Sequence, residues 1–191
     1  MQEFWVWFQT GFFHITDLAG YDHMLFLLVL IGPYNWENRK ELFWLISAFT
    51  LGHCLSLAAS TLHLVKIKSY WIELLIPLTI LLTALENILL LTAHKIPNWK
   101  FKYTLSALFG LIHGLGFSYL LKALLGRTEN WLLPLFSFNV GIEIGQILIL
   151  CLILLVSFLL FVLFKLKERN RCFLFSGIAI ILAVDMILSR I

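Results

Sequence analysis

The stretch Gly11–Leu28, GFFHITDLAGYDHMLFLL, places His14, Asp22 and His23 at the edge of a strongly apolar run. A charged side chain near the centre of a bilayer costs about 2.5–3.5 kcal/mol even on the most lenient insertion scale, so such residues normally face a partner, a cavity or an ion. The same anomaly recurs in later apolar segments, at the following positions: His53, Glu86, His113, Asn139, Glu143 and Gln146.

The composition is typical of an integral membrane protein. Hydrophobic residues make up 61% of the 191 residues and charged residues only 13%, and the mean hydropathy is +0.93. These values lie outside the range of soluble globular domains. Apolar spans of roughly 20 residues recur between short polar breaks, which is the pattern of transmembrane helices. We therefore predict an all-α membrane protein in which residues 1–191 form a single helical transmembrane domain.

The apolar runs predict a six-helix transmembrane bundle. Its spans are Ala19–Ile31, Leu42–Leu62, Tyr70–Thr92, Phe101–Leu125, Trp131–Phe164 and Phe173–Leu188. The aromatic-rich segment Met1–Phe13 suits a short helix that lies in the membrane interface before the first span. It lacks the basic region and cleavage site of a signal peptide, so we expect it in the mature protein.

Two of these spans carry glycines at a spacing that permits close helix packing. The fourth contains FGLIHGLGF (109–117) and the fifth contains FNVGIEIGQ (138–146), each with two glycines four residues apart. Small residues at this spacing let helix backbones approach closely. If the two glycine faces meet, His113 and Glu143 are brought to the same place.

The charge distribution predicts an orientation and argues against a nucleic-acid partner. The net charge of +3 comes from lysines and arginines in the loops, which in a membrane protein report topology. The breaks after the first, third and fifth spans hold nine of these cations, against five on the other side. The positive-inside bias then places both termini outside, in a bacterial inner membrane.

The polar groups inside the spans predict a metal site. A rise of about 1.5 Å per residue puts His53, His113 and Glu143 each roughly 16–18 Å into their helices, at one level in the membrane. Asn139, Glu143 and Gln146 follow the spacing i, i+4, i+7 and form one polar stripe. The predicted metal ligands are His14, Asp22, His23, His53, Glu86, His113, Asn139 and Glu143.

The types of side chain indicate which ions would bind. Imidazole and carboxylate ligands together suit a borderline divalent cation such as Ni²⁺, Co²⁺ or Zn²⁺, whereas a thiolate-rich site would indicate Cu(I). Cys54, Cys151 and Cys172 are too widely spaced to predict a disulfide framework or a thiolate site.

Other polar residues are left outside the predicted site. His63 and His94 occur in the breaks beside lysines, so we expect them to be solvated or interfacial. Asp17 is interpreted as a helix cap. Asp185 lies close to Arg190 at the end of the last span, where pairing or snorkelling accounts for its charge.

Five motifs in order resemble one known family. They are HITDLAGYDHMLFLL, FTLGHCLSL, ALENILL, FGLIHGLGF and FNVGIEIGQ, within residues 11–146, and together they resemble the HupE/UreJ family of hydrogenase- and urease-associated membrane proteins. The resemblance implies a small helical permease that moves nickel or cobalt, with metalloenzyme maturation proteins as partners. It also implies that His14, Asp22 and His23 match the family's first histidine–aspartate motif.

Two functions of different classes fit these residues. The first is a divalent-metal permease, in which an outer group of His14, Asp22 and His23 passes the ion to His53, His113 and Glu143. The second is an intramembrane zinc-dependent hydrolase acting on a lipid or lipid-anchored substrate, with Glu86 or Glu143 as the general base. An accessory or metal-sensing subunit with a structural metal site is a third possibility. The family resemblance favours the permease.

Overall fold

The computed structural model describes residues 2–95, 97–125 and 131–191, with only the backbone of Leu125, and all regular structure in these ranges is helical. A 3-10 turn over Trp36–Asn38 leads into the third of seven helices. The helices are α1 (Gln2–Thr16), α2 (Asp22–Ile31), α3 (Arg39–Thr61), α4 (Ser69–Thr92), α5 (Trp99–Leu125), α6 (Leu132–Phe164) and α7 (Glu168–Leu188).

Five of these helices, α3 to α7, are long and apolar enough to cross a membrane. This agrees with the prediction of an all-α, multi-pass integral membrane protein, whereas the predicted count of six spans is not reproduced by length and hydropathy. The difference lies at the N-terminus, because α2 has only ten residues. At 1.5 Å per residue it is about 15 Å long, half the thickness of a bilayer core.

The helix in the predicted first span, Ala19–Ile31, is shorter than expected, because the chain turns at Asp17 and regains a helix only at Asp22. The Asp17 side chain accepts a hydrogen bond from the backbone N–H of Ala19 at 2.9 Å. This Asx turn offers the backbone an alternative to the helix, which is why aspartate favours such breaks.

The helix α1 packs lengthwise on α6, which corrects the expectation of a separate interfacial helix. Gly11 lies against Phe138, and Gly141 lies against the backbone of Phe8 and Phe12. Further along, Gly145 meets the side chain of Ile15. Because the contacts ascend together in both helices, α1 and α6 run in the same direction.

The glycines of α5 pack on α3, so the predicted meeting of the two glycine faces is wrong. A Cβ at Gly110 would lie 2.1 Å from the carbonyl oxygen of Phe49, and one at Gly114 would lie 2.5 Å from that of His53. Gly52 approaches the backbone of Ala107 just as closely from the other side. Each glycine pair found in the sequence therefore has a different partner helix.

Arg171 is only 2% exposed and links several segments at the end of the bundle where α3 begins. Its guanidinium donates to the carbonyl oxygens of Gly32 and Tyr34 and to the side chain of Asn35. At the other end, Arg190 donates to the carbonyl oxygen of Glu73. That carbonyl is free because Pro77, four residues later in α4, has no N–H.

We predict that Gly110→Ala destabilises the protein, because the new Cβ would meet the backbone of α3 and force the two helices apart. Overpacking of this kind costs about 1–3 kcal/mol, and thermal unfolding of the purified protein in detergent measures it. Gly177→Ala in α7 is the matched control. Nothing lies within 4 Å of a Cβ there, so we expect about 0.5–1 kcal/mol of added stability from helix propensity. Equal melting of the two variants would contradict the packing described.

Candidate metal centre

Three histidines from three different helices converge in the structure. His14, His23 and His53 each offer one ring nitrogen, and the three nitrogens lie within 4.8 Å of one another. The ring centroids of His14 and His23 are 4.9 Å apart, and both lie just over 6 Å from that of His53. His53 is completely buried and His23 is 5% exposed. This cluster is called the histidine centre below.

The break between α1 and α2 brings two of these histidines together. His14 lies in the last turn of α1, and His23 is the second residue of α2. The last carbonyl groups of a helix lack intrahelical partners and carry partial negative charge, which favours a cation nearby. Discontinuous helices at membrane depth are a common way to build ion sites. The turn at Asp17 therefore positions His14 and His23 at one point.

The nitrogens that face the centre have no hydrogen-bond partner. This holds for Nε2 of His14, Nε2 of His23 and both ring nitrogens of His53. A buried polar atom without a partner costs about 1–3 kcal/mol, and such atoms are uncommon. Neutral imidazole nitrogens are among the commonest ligands of transition metals in proteins. Three of them converging without partners fit the ligand set of a metal cation.

Asp22 lies behind His23. Its Oδ1 is 2.9 Å from Nδ1 of His23 and also accepts the backbone N–H of the same residue at 2.8 Å. A carboxylate that holds one ring nitrogen fixes the orientation of the imidazole and leaves Nε2 for the metal. The geometry therefore favours an orienting role for Asp22, where the sequence predicted a ligand.

His113 lies beside the histidine centre but outside the converging group. Its ring is 5.2 Å from that of His23, and its Nε2 pairs with Oγ1 of Thr79 on α4 at 3.0 Å. Nδ1 of His113 has no partner. Thr79 was not selected from the sequence, where it is one of several threonines in apolar segments.

The predicted stripe on α6 faces α3. Oε1 of Glu143 accepts the hydroxyl of Ser47 at 2.5 Å, and Oε1 of Gln146 accepts that of Thr50 at 2.8 Å. The Asn139 amide donates to the carbonyl of Leu135, its helical i−4 neighbour, and its Oδ1 has no partner. Glu143 thus hydrogen-bonds to α3, whereas His113 hydrogen-bonds to α4.

Glu86, another predicted ligand, forms an ion pair. Its Oε2 accepts Nζ of Lys102 at 2.8 Å, and Lys102 is only 3% exposed. The neighbouring Asn87 donates to the carbonyl oxygen of Val29 and so links α4 to α2. Lys102 was counted from the sequence among the loop cations, whereas the structure buries it in the first turn of α5. Glu86 therefore has a cation partner within the protein.

Aromatic side chains surround the histidine centre. Phe117 stacks on Phe138 at 4.8 Å and lies 4.1 Å from the ring of His14. On the side of His113, Phe26 and Phe49 lie 5.0 Å apart and both contact that ring. These rings exclude water from two sides of the centre.

A cavity reaches the centre from the side. It has a volume of about 590 Å³ and is lined by Thr10, His14 and Asp17 together with apolar side chains of α1, the following turn and α5. Because His14 lines this cavity, it is the member of the histidine centre that is open to an incoming ion.

His63 and His94 lie elsewhere, exposed at the ends of α3 and α4 in left-handed conformation.

The helices and this cluster define a multi-pass membrane protein with histidines gathered between its helices. The chain matches the family model described as "HupE / UreJ protein" over residues 1–189, and it belongs to the HupE/UreJ family. The resemblance seen in the five motifs is thus confirmed and extends over almost the whole chain. No curated protein and no solved structure gave a significant match.

We predict that Glu86→Gln destabilises the protein, because it leaves the ammonium group of Lys102 buried without a counter-charge. Breaking a buried pair costs about 3–5 kcal/mol, and we expect the lower end because the Glu86 side chain is 24% exposed. The double variant Glu86→Gln/Lys102→Met removes both charges and should recover most of the loss. Thermal unfolding compares the two, and a single variant as stable as the double would contradict the pairing.

Proposed function

We propose that this protein is a permease for a divalent transition metal ion of the nickel or cobalt type, and that the ion binds at the histidine centre. The observation that carries the proposal is the convergence of three unpartnered imidazole nitrogens within 4.8 Å. Membership of the HupE/UreJ family supports it, because the family resemblance implies handling of nickel or cobalt.

The ligand set agrees with a borderline divalent cation. Imidazole nitrogens suit Ni²⁺, Co²⁺ and Zn²⁺, and metal–nitrogen bonds are about 2.0–2.1 Å long. Two nitrogens on one such ion are at most about 4.2 Å apart, so the rings must move inward by less than about 1 Å to close on it. Three histidines leave at least one coordination position open, through which an ion can exchange ligands.

The proposal includes a sixth membrane crossing made of two half-helices. α1 and α2 together contain 15 and 10 residues, which at 1.5 Å per residue span about 37 Å, enough for a bilayer core. The parallel packing of α1 on α6 supports this arrangement. The histidine centre would then lie within the membrane, at the break in this crossing.

We place both termini outside and the protein in a bacterial inner membrane, on the excess of lysine and arginine in alternate loops. With this orientation the cavity at His14 opens on the outer half of the bundle, near the end of α5. The ion would enter there and leave toward the side on which α3 begins. Maturation proteins of metalloenzymes are the receiving partners implied by the family resemblance.

Neither alternative function gains support from a specific contact. An intramembrane hydrolase requires a general base beside the metal, and the two candidates were Glu86 and Glu143. In the structure Glu86 binds Lys102, and Glu143 accepts a hydrogen bond from Ser47. An accessory subunit with a structural site requires a closed set of four ligands, whereas three ring nitrogens converge among the described residues.

We expect His14→Ala, His23→Ala and His53→Ala each to abolish binding of Co²⁺, because each removes one ligand. The affinity for Co²⁺ should fall by more than about 10–100-fold, which is the loss typical of residues that only hydrogen-bond to a metal ligand. The visible spectrum and the metal content of the dialysed protein measure it, and uptake of Ni²⁺, Co²⁺ or Zn²⁺ into proteoliposomes should be lost in parallel. His63→Asn is the control, since asparagine tolerates the left-handed backbone at that exposed position.

The proposal fails if the wild-type protein takes up none of these ions. It also fails if the three alanine variants bind Co²⁺ as tightly as the His63→Asn control.

Asp22→Asn should weaken Co²⁺ binding by about 10–100-fold while leaving three ligands in place. The amide oxygen accepts the Nδ1 proton of His23 but carries no charge, so it holds the ring less firmly and makes the imidazole a weaker ligand. Asp17→Asn is the matched control, because its side chain makes a turn and asparagine makes the same turn. Titration with Co²⁺ distinguishes them, and equal affinity of both variants would rule out the orienting role.

A further inference from the structure

Polar residues continue from the histidine centre along one face of α3. Thr50 and Ser47 lie three and six residues before His53, and this spacing keeps all three on the same side of the helix. Thr50 is 9% exposed and His53 is fully buried. The face therefore leads from the centre toward the N-terminal end of α3, away from the cavity at His14.

The opposing face of α6 supplies oxygen and nitrogen atoms along the same direction. Glu143 and Gln146 lie four and seven residues beyond Asn139, which corresponds to about 6–10 Å along the helix. Gln146 is completely buried, and its Nε2 has no hydrogen-bond partner. If the amide turns over, Nε2 can donate to the hydroxyl oxygen of Thr50 and Oε1 becomes available as an acceptor beside Glu143.

Glu143 places a carboxyl group inside a span, and no basic group among the described residues pairs with it. Among the residues that the structure describes, the ion pairs are those of Asp22 with His23 and Glu86 with Lys102. A carboxylate within a span costs about 2.5–3.5 kcal/mol unless it is compensated. The hydroxyl of Ser47 supplies one hydrogen bond but no positive charge, so a cation bound beside Glu143 would meet no competing basic group.

A second route from the centre runs between α4 and α5, and its charge opposes a metal ion. It passes from His113 and Thr79 toward the beginning of α5, where Lys102 is buried beside Glu86. The ammonium group of Lys102 repels a divalent cation, and its pairing with Glu86 leaves that carboxylate without free charge. The route along α3 and α6 ends instead on an uncompensated carboxylate.

We infer that Glu143, Ser47 and Gln146 form a second, weaker site for the divalent cation, which receives the ion from the histidine centre. The ligands are a carboxylate, a hydroxyl and an amide oxygen, a harder set than three imidazoles, so the ion is held less tightly there. This inference rests on the proposed function, because it assigns the next position of the same ion. It also gives a role to the charge of Glu143.

The same side chains also hold α3 against α6, and the test must separate that role from ion binding. Glu143→Gln keeps an oxygen that accepts the Ser47 hydroxyl, so the link between the helices is preserved, but it removes the charge. Ser47→Ala removes the hydrogen bond between the two helices but keeps the carboxyl group of Glu143. The double variant Glu86→Gln/Lys102→Met removes the other intramembrane glutamate without leaving a buried lysine unpaired.

The experiment is a Co²⁺ titration of the purified full-length protein in detergent, followed by uptake of Co²⁺ into proteoliposomes. The wild type should bind one equivalent tightly at the histidine centre and a second weakly. Glu143→Gln should keep the first equivalent with an unchanged visible spectrum, lose the second, and slow uptake at least about tenfold, equivalent to about 1.4 kcal/mol. Ser47→Ala loses one ligand but keeps the carboxylate, so it should weaken the second equivalent without abolishing it. The double variant should keep both equivalents and remain within about twofold of wild-type uptake, or about 0.4 kcal/mol.

Failure of this inference differs from failure of the proposed function. If Glu143→Gln binds two equivalents or transports at the wild-type rate, the second site is not at Glu143. If the double variant loses uptake while Glu143→Gln retains it, the ion follows α4 and α5. If the wild-type protein binds only one equivalent of Co²⁺, and that equivalent depends on the histidines, the second site does not exist. If the first equivalent survives in His53→Ala, the histidine centre itself is wrong, whatever Glu143→Gln does.

Discussion

The close approach of helix backbones at glycines determines where the histidines lie. Gly110 and Gly114 let α5 rest on the backbone of α3 around His53, and Gly141 lets α1 rest on α6. Helix association in lipid has little hydrophobic driving force and relies on tight packing and on hydrogen bonds between helices. The first contact places His53 of α3 against α5, and the second places α1, which carries His14, against α6. Phe138 of α6 lies 5.8 Å from the ring of His14 and 6.4 Å from that of His53.

The sequence predicted the kind of fold well and the partners of its helices poorly. Long apolar runs bounded by polar breaks predict α3 to α7, because a bilayer requires about 20 apolar residues per helix. The glycine spacing likewise indicates that Gly110 and Gly141 approach another backbone, but it holds no information about which one. The sequence indicated a break between Phe13 and Ala19, with Asp17 as a helix cap, but it did not show that the Asx turn of Asp17 delays the second helix to Asp22.

For the candidate site, the sequence predicted which histidines converge better than it predicted the roles of the acidic residues. Every histidine of the converging group was selected from the sequence, since an imidazole in an apolar segment is rare without a partner. The roles of Asp22 and Glu86 depend on neighbours that the pattern does not reveal. Asp22 is adjacent in sequence to the ring it orients, whereas Glu86 is paired with Lys102 on the next helix, and that lysine looks like a loop residue until α5 is seen to begin at Trp99.

The charges of the two glutamates then separate two halves of the bundle. Between α4 and α5 the ion pair of Glu86 and Lys102 is neutral and holds the helices together, as buried pairs do when both partners are present. Between α3 and α6 the contacts are hydrogen bonds from Ser47 and Thr50, which bring no basic group to Glu143. A cation at the proposed histidine centre would therefore be attracted toward α6 and not toward α5. The position of Lys102, rather than the number of acidic residues, therefore determines which of the two glutamates has a basic partner.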